Sequence, residues 1–229
     1  SKDGQLTYVH ETSWGSSTRL IGAIIMAHGD ERGLRMPPRI APIQVVIVPI
    51  AAHKGGVNEA CQKLAAGLKA AGLRVELDDR DTYSPGYKFN HWELRGVPLR
   101  LEVGPRDLEK GQVMACRRDT FEKFELPMDG LTEKIPGILQ DIQDTLFAQA
   151  QAFRDARTRV VTTMEELADA VQTGFAKAMW CGCRECEDKV KAELNATSRN
   201  MPFDQTPVGD VCAVCGKPAS KVMYFAKAY

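Results

Sequence analysis

Five of the seven cysteines of this 229-residue chain lie between positions 181 and 215, in two clusters: Cys181, Cys183 and Cys186, then Cys212 and Cys215. Their spacing constrains the fold of that end more tightly than any apolar pattern. Cys212-Ala213-Val214-Cys215-Gly216 has the form of a zinc knuckle. Two thiolates three positions apart can share one tetrahedral ion, and the glycine after them lets the backbone turn tightly. The upstream cluster can supply the other two ligands, through Cys181 or Cys183 paired with Cys186. The rival arrangement is free thiols or disulfides. Five cysteines at metal spacing fit a reducing cytoplasm better than a disulfide scaffold. A metal would then staple the C-terminus without saying what the protein does.

Length allows one large or two small domains. Hydrophobic residues make up 44% and charged residues 26% of the chain, the profile of a globular protein. Formal net charge is +0, so any nucleic-acid binding must come from local basic patches. There is no run of ~18 apolar residues for a membrane span, and the start, Ser1-Lys2-Asp3-Gly4, carries no signal-peptide pattern.

Local patterns predict the elements. Leu6 to Val9 reads as a short strand, 13–18 as a small-residue turn, and Leu20 to Met26 as a buried helix. Arg32 to Pro38, with its Pro37-Pro38 pair, reads as a linker. Gln44 to Ile50 is a β-branched run suited to a strand buried on both faces. Asn58 to Ala71 has helical spacing, with Cys61, Leu64, Ala65 and Leu68 on one stripe and Gly72 to close it. Leu73 to Leu77 is a strand, Pro85 to Arg95 a helix stopped by Gly96, and Pro98 to Val103 a strand. Gln112 to Arg117 and Glu122 to Leu126 form a hairpin through Asp119-Thr120. A helix runs from Leu131 to about Arg159, interrupted at Pro136-Gly137, and another from Met164 to Trp180. The tail from Val222 to Tyr229 is apolar enough to dock. Alternating strands and helices predict an α/β fold with a parallel or mixed sheet flanked by helices, followed by a small α+β module stapled by metal.

Several motifs, in order, carry a resemblance. Thr12-Ser13-Trp14-Gly15-Ser16-Ser17-Thr18-Arg19-Leu20-Ile21-Gly22-Ala23 resembles motif 3 of prolyl-tRNA synthetase, a class II aminoacyl-tRNA synthetase. His28-Gly29-Asp30 and the run from Pro37 to Pro49 resemble the junction that follows it. Pro85-Gly86-Tyr87-Lys88-Phe89, Trp92-Glu93-Leu94-Arg95-Gly96-Val97-Pro98 and Gly104-Pro105-Arg106-Asp107 resemble that family's anticodon-binding domain. The cysteine module and the ending Phe225-Ala226-Lys227-Ala228-Tyr229 resemble the C-terminal zinc domain of the archaeal/eukaryotic-type enzymes.

The resemblance implies three parts: 1–36 as the end of a catalytic domain, 37–130 as an anticodon-binding domain, and 131–229 as a helical linker and zinc domain. In that family motifs 1 and 2 lie N-terminal to motif 3. The chain is therefore expected to be the C-terminal portion of a proline–tRNA ligase, inactive alone. The alternative is a free-standing tRNA-binding or regulatory module, for which a motif 3 arginine has no use. Implied partners are tRNA(Pro), with proline, ATP and Mg in the full-length enzyme, and a second copy of that enzyme as a homodimer. No DNA or membrane partner is expected.

Particular residues follow from the same resemblance. Arg19, with Gly15 and Thr18, is expected at ATP, where a guanidinium neutralises phosphate by forked hydrogen bonds. Gly15 and Gly22 suit close packing beneath the nucleotide. Glu93 and Arg100 are expected to read guanines of the proline anticodon. Guanine N7 and O6 accept from Arg, and N1–H and N2–H₂ donate to a carboxylate. A surface salt bridge between the two is the ordinary competing role. Arg106 and Lys123 are weaker candidates that phosphate contact explains equally well. Tyr87, Phe89 and Trp92 could stack on bases but are more often core. The family pattern selects Cys181, Cys186, Cys212 and Cys215 as a closed structural zinc site. It also brings Tyr229 and its carboxylate toward the catalytic domain. Cys61 and Cys116 are expected in the core.

Overall fold

The computed structural model describes residues 2–9 and 11–228, so the role expected of Tyr229 lies outside the described residues. The chain forms two compact units, Ser1–Leu146 and Phe147–Tyr229.

In the first unit the strand expected at Leu6 to Val9 does not form. Those residues form no regular element, and Leu6, Tyr8 and Val9 are exposed. A lone strand has no ladder to satisfy its backbone. The helix α1 (Arg19–His28) does form, but none of its residues is buried. Leu20, Ile21, Ile25 and Met26 are all more than half exposed; no other element among the described residues covers them. A small antiparallel hairpin follows, β1 (Gly29–Asp30) and β2 (Gly33–Leu34). It occupies part of the stretch expected to be linker, with the turn at residues 31 and 32 and Gly33 opening β2 at φ 127°.

The sheet begins with β3 (Val45–Pro49), all five residues buried as its β-branched run predicts. The chain continues through α2 (Val57–Ala70), β4 (Val75–Leu77), α3 (Pro85–Leu94), β5 (Leu99–Val103), α4 (Pro105–Glu109), β6 (Gln112–Arg117) and β7 (Lys123–Pro127) to α5 (Leu131–Ala156). Strand order is β4-β3-β5-β6-β7. β3 is parallel to both β4 and β5, while β5, β6 and β7 are antiparallel neighbours. Side chains alternate across the sheet. Val45, Ile47, Leu99 and Leu101 pack with α2 and with the stripe Leu131, Ile135, Leu139, Ile142 and Leu146 of α5. Val46 and Val48 meet Trp92 and Val97 on the opposite face. Cys61 and Cys116 are buried.

α5 runs without a break through Pro136, contrary to the expected interruption. Proline removes one helical donor, and five buried residues on one stripe outweigh that loss. The helix ends at Ala156 because the next residues are already a strand.

That strand, β8 (Thr158–Val161), opens the second unit's sheet. α6 (Met164–Ala170), β9 (Phe175–Trp180), α7 (Arg184–Leu194), β10 (Ala196–Asn200) and β11 (Lys221–Lys227) complete it, in the order β10-β11-β9-β8. The helix expected from Met164 to Trp180 is therefore half strand. At Gly174 a Cβ would lie 2.0 Å from the Arg157 carbonyl oxygen, an approach that only glycine permits, and it sets β9 beside β8. Ala176 and Ala178 are fully buried, and Phe225 of β11 is among the largest buried side chains. Residues 222–226 of the tail pack into this sheet as its composition predicts, while Lys227 and Ala228 are exposed.

Candidate functional site

α3 positions the candidate anticodon face, and its placement begins with a buried carboxylate. The Asp78 side chain, 0% exposed, accepts from Trp92 Nε1 at 2.7 Å and from Arg80 Nε and Nη2 at 2.8 and 2.7 Å. Lys88 Nζ donates to the Asp78 carbonyl at 2.9 Å. Burial opposes ionisation of Asp78, but the bonds from Arg80 and Trp92 prevail and hold its pKa low. Ser84 caps the helix by accepting from the Tyr87 amide, with Pro85 in the first turn. Lys88 and Trp92 thus face inward, and Phe89 and Glu93, one turn apart, share a flanking stripe.

On that flank the structure brings together Glu93, Arg100 and Lys123. Arg100 Nη1 donates to Glu93 Oε1 at 2.9 Å; its Nε and Nη2 donate to Glu102 Oε1 at 3.1 and 3.0 Å. Lys123 Nζ lies 3.1 Å from the same Glu102 oxygen. The guanidinium of Arg100 sits 4.1 Å over the Phe89 ring and Lys123 Nζ 5.6 Å from it. Arg100 is buried, so its bond to Glu93 is no solvated surface pair. The arrangement is an alternating chain of two carboxylates and two cations beside an aromatic face. A purine with both donors and acceptors on one edge can exchange partners with such a chain. Phe89 is partly buried against the core, Trp92 is core, and Tyr87 is exposed and stacked on Tyr83 at 4.4 Å.

Arg106 is not brought to this cluster. It is exposed on α4, beyond the far end of β5 from Arg100. Arg19, Thr18 and Gly15 share one exposed segment: Thr18 is the α1 N-cap without a side-chain cap bond, and a Cβ at Gly15 or Gly22 would meet no atom within 4 Å. The close packing expected at the two glycines is therefore not seen. Sequence reasoning missed Glu102, although a strand places residues 100 and 102 on one side. It also missed Asp30, Arg32, Arg118 and Phe121, which lie around Glu93 from distant positions that no local pattern links.

The second unit holds a sulfur cluster. Cys181 follows β9, Cys186 lies in the first turn of α7, and Cys212 and Cys215 flank a tight turn closed by Gly216 at φ 71°. The Cys212 amide donates to the Lys217 carbonyl, and the Ala213 amide to the Met179 carbonyl, which fixes the turn against β9. The Sγ atoms of Cys181, Cys186, Cys212 and Cys215 all lie within 4.8 Å of one another. Four sulfurs about 2.3 Å from one tetrahedral ion are about 3.8 Å apart. The Cys181–Cys186 and Cys181–Cys215 separations, 3.6 and 3.8 Å, match that edge. Cys183 Sγ sits 3.0 and 3.2 Å from Cys181 and Cys186, too near for a fellow ligand of such an ion, and falls outside the group of four. Burial works against a Cys212 thiolate, but the Val214 and Cys215 amides outweigh it and bring the group down to about 7. These four cysteines could hold a metal ion.

Comparison with known proteins places this geometry. Residues 44–138 match the model described as "Anticodon binding domain", and residues 164–229 match "Prolyl-tRNA synthetase, C-terminal". The chain belongs to the prolyl-tRNA synthetase family, as its C-terminal portion. A proline–tRNA ligase of Alkaliphilus oremlandii is 52% identical over all of this chain and 48% of its own length. Proline–tRNA ligase 2 of Clostridioides difficile is 50% identical with the same coverage. Crystal structures of Cryptosporidium parvum prolyl-tRNA synthetase, one with L-proline and AMP and one with halofuginone and AMPPNP, superpose with TM-scores of 0.85 and 0.86 at 40% and 38% identity. Each covers 93% of this chain and 46% of its own. The chain thus spans about half the length of the relatives it matches. No helix among the described residues is long and apolar enough to cross a membrane.

Proposed function

We propose that this chain is the anticodon-reading and C-terminal part of a cytoplasmic, ATP-dependent proline–tRNA ligase that binds tRNA(Pro). The observation that carries this is the Glu93–Arg100–Glu102–Lys123 chain over Phe89, inside the stretch that matches an anticodon-binding domain. Glu93 accepts from a guanine N1–H and N2–H₂, and Arg100 donates to N7 or O6. Lys123 serves the same edge or a neighbouring phosphate; exposed Arg106, standing apart, serves the RNA backbone. The three-part division at 36 and 130 belongs to this reading. So does zinc held by Cys181, Cys186, Cys212 and Cys215 as a closed, structural site. Relatives about twice as long favour the ligase over a free-standing module.

Proline, ATP and Mg belong to the longer protein, a homodimer in this reading. Arg19, with Thr18 and Gly15, would hold the nucleotide there. Bound ATP supplies the activated phosphate; Arg19 neutralises its charge. The exposed apolar residues of α1 would be covered by the rest of that catalytic domain. The test is a titration of the 229-residue chain with a proline anticodon stem-loop and with the same loop lacking its anticodon guanines. The reading requires tighter binding of the first; equal binding at every salt concentration refutes it.

A further inference from the structure

The hairpin that follows α1 is seated on the last turn of α3, the turn from which Glu93 projects. Gly33 and Gly96 make the fit: a Cβ at Gly33 would come 2.5 Å from the Leu94 backbone, and one at Gly96 2.7 Å from that of Leu34. The Met36 amide donates to the Gly96 carbonyl at 3.1 Å. Between them lies Arg118, whose side chain is 3% exposed. Its Nη1 and Nη2 donate to the two Asp30 oxygens at 2.8 and 2.7 Å, and its Nε donates to the Glu93 carbonyl at 3.0 Å.

That carbonyl lies at the helix end and already accepts from the Gly96 amide at 3.0 Å; Arg118 adds a second, charged donor where a cation meets the negative pole of the helix. Arg118 therefore caps α3 from a distant strand end, and Asp30 fixes the cap. The same hairpin reaches the Glu93 side chain: Arg32 Nη1 lies 3.8 Å from Glu93 Oε2. The Arg32 guanidinium also stands 4.4 Å from the Phe121 ring, which Arg118 approaches at 5.0 Å. Glu93, Arg100 and Arg118 line one crevice. Glu93 is thus held at its carboxylate by Arg100 and at its backbone by Arg118.

We propose that Arg118, fixed by Asp30, is a positioning residue for anticodon reading: from the hairpin after α1 it sets the last turn of α3, and so where the Glu93 carboxylate meets a guanine edge. This rests on the anticodon reading above. It makes the 28–36 stretch part of the anticodon site, although that stretch precedes the matched anticodon-binding region at 44–138.

The test compares the guanine-bearing stem-loop with the guanine-replaced loop on the 229-residue chain. Asp30→Asn keeps size and removes the charge that fixes Arg118. It should cut the preference for the guanine loop about tenfold, within the worth of one good base contact, with the salt dependence unchanged. Asp141→Asn removes a carboxylate from neighbouring Arg117 and should leave the preference intact. Glu93→Gln reports the anticodon reading itself. If Glu93→Gln abolishes the preference while Asp30→Asn retains it, the positioning role is wrong and the reading stands; if Glu93→Gln has no effect, the reading falls first. Equal weakening on both loops by Asp30→Asn also overturns the proposal. A measurement on the unaltered chain covers a variant that does not fold. The Met36 and Gly96 amides should gain hydrogen-exchange protection with the guanine loop and not with the replaced loop; equal protection overturns the role.

Discussion

Arg100→Ala is the obvious mutation for testing a guanine reader, and the structure predicts that it damages the fold first. It deletes three hydrogen bonds, one to Glu93 and two to Glu102. Glu93 and Glu102 are left with side chains 15% and 13% exposed. Lys123 still serves Glu102, while among the described residues the Glu93 carboxylate keeps Arg32 at 3.8 Å. Removing one member of a buried pair costs about 3–5 kcal/mol. The residual exposure and Lys123 pull that toward about 3 kcal/mol. Such a loss is a large share of a domain's roughly 5–15 kcal/mol. Hydrogen exchange of the β5 and β6 amides reports on this unit, and their protection should fall about a hundredfold, since about 1.4 kcal/mol is tenfold. Glu93→Gln is the cleaner probe. It keeps volume and one acceptor for Arg100, so stability should fall by only about 1 kcal/mol, the difference between a charged and a neutral hydrogen bond. Its affinity for the guanine loop should fall by about 1–3 kcal/mol. Protection lowered less than threefold by Arg100→Ala would mean that the charge chain contributes no more than a solvated surface pair.

Other outcomes follow from the same geometry. The chain should bind one zinc; Cys183→Ser should retain it and Cys215→Ser should lose it, read by metal analysis of purified protein, and the reverse for Cys183→Ser and Cys181→Ser would put Cys183 in the ligand set. Proline-dependent ATP–pyrophosphate exchange by this chain should stay at background; clear exchange would refute its dependence on a longer protein. The Asp30 carboxyl is held down to about 2, chiefly by its hydrogen bond from Arg118. A depressed folded pKa stabilises above the unfolded value near 4 and is lost as pH falls toward 2, so Asp30→Asn should lose stability relative to the parent at pH 7 and converge with it near pH 2 in denaturant titrations. Gly174→Ala drives a Cβ into the Arg157 carbonyl and should lower the melting temperature of the second unit, whereas Gly67→Ala, with open space at that position, should raise stability slightly.

The sheet of the first unit was legible because every element from Val45 to Pro127 carries its own local signal. β3 is an unbroken β-branched run, α2 has one apolar stripe closed by Gly72, and α3 has Ser84, Pro85 and Gly96 as start and stop. Only α4 escaped notice, although Gly104-Pro105 is a helix start. The second unit hid more. Phe175 to Trp180 contains good helix formers, and a propensity argument extends α6 through it. What decides otherwise is pairing with residues 221–225 on one side and 158–161 on the other, which no window along the chain contains.

The same split between near and far governs the candidate site. Glu93 and Arg100 could be picked out by residue type and motif, and the four cysteines by spacing. Their working geometry is set by partners that share no pattern with them. Asp30 lies 88 positions from Arg118, and Arg118 lies 25 from the Glu93 carbonyl that it caps. A motif therefore names the group that touches a ligand, while the groups that aim it lie wherever the fold returns a charge to a helix end. The glycines give the one sequence-level trace of that aim. Gly33 and Gly96 each sit at positive φ and each face a backbone closer than a methyl group allows. Two such glycines on separate elements mark where hairpin and helix must meet, and hence where a displacement of the hairpin would be felt by Glu93.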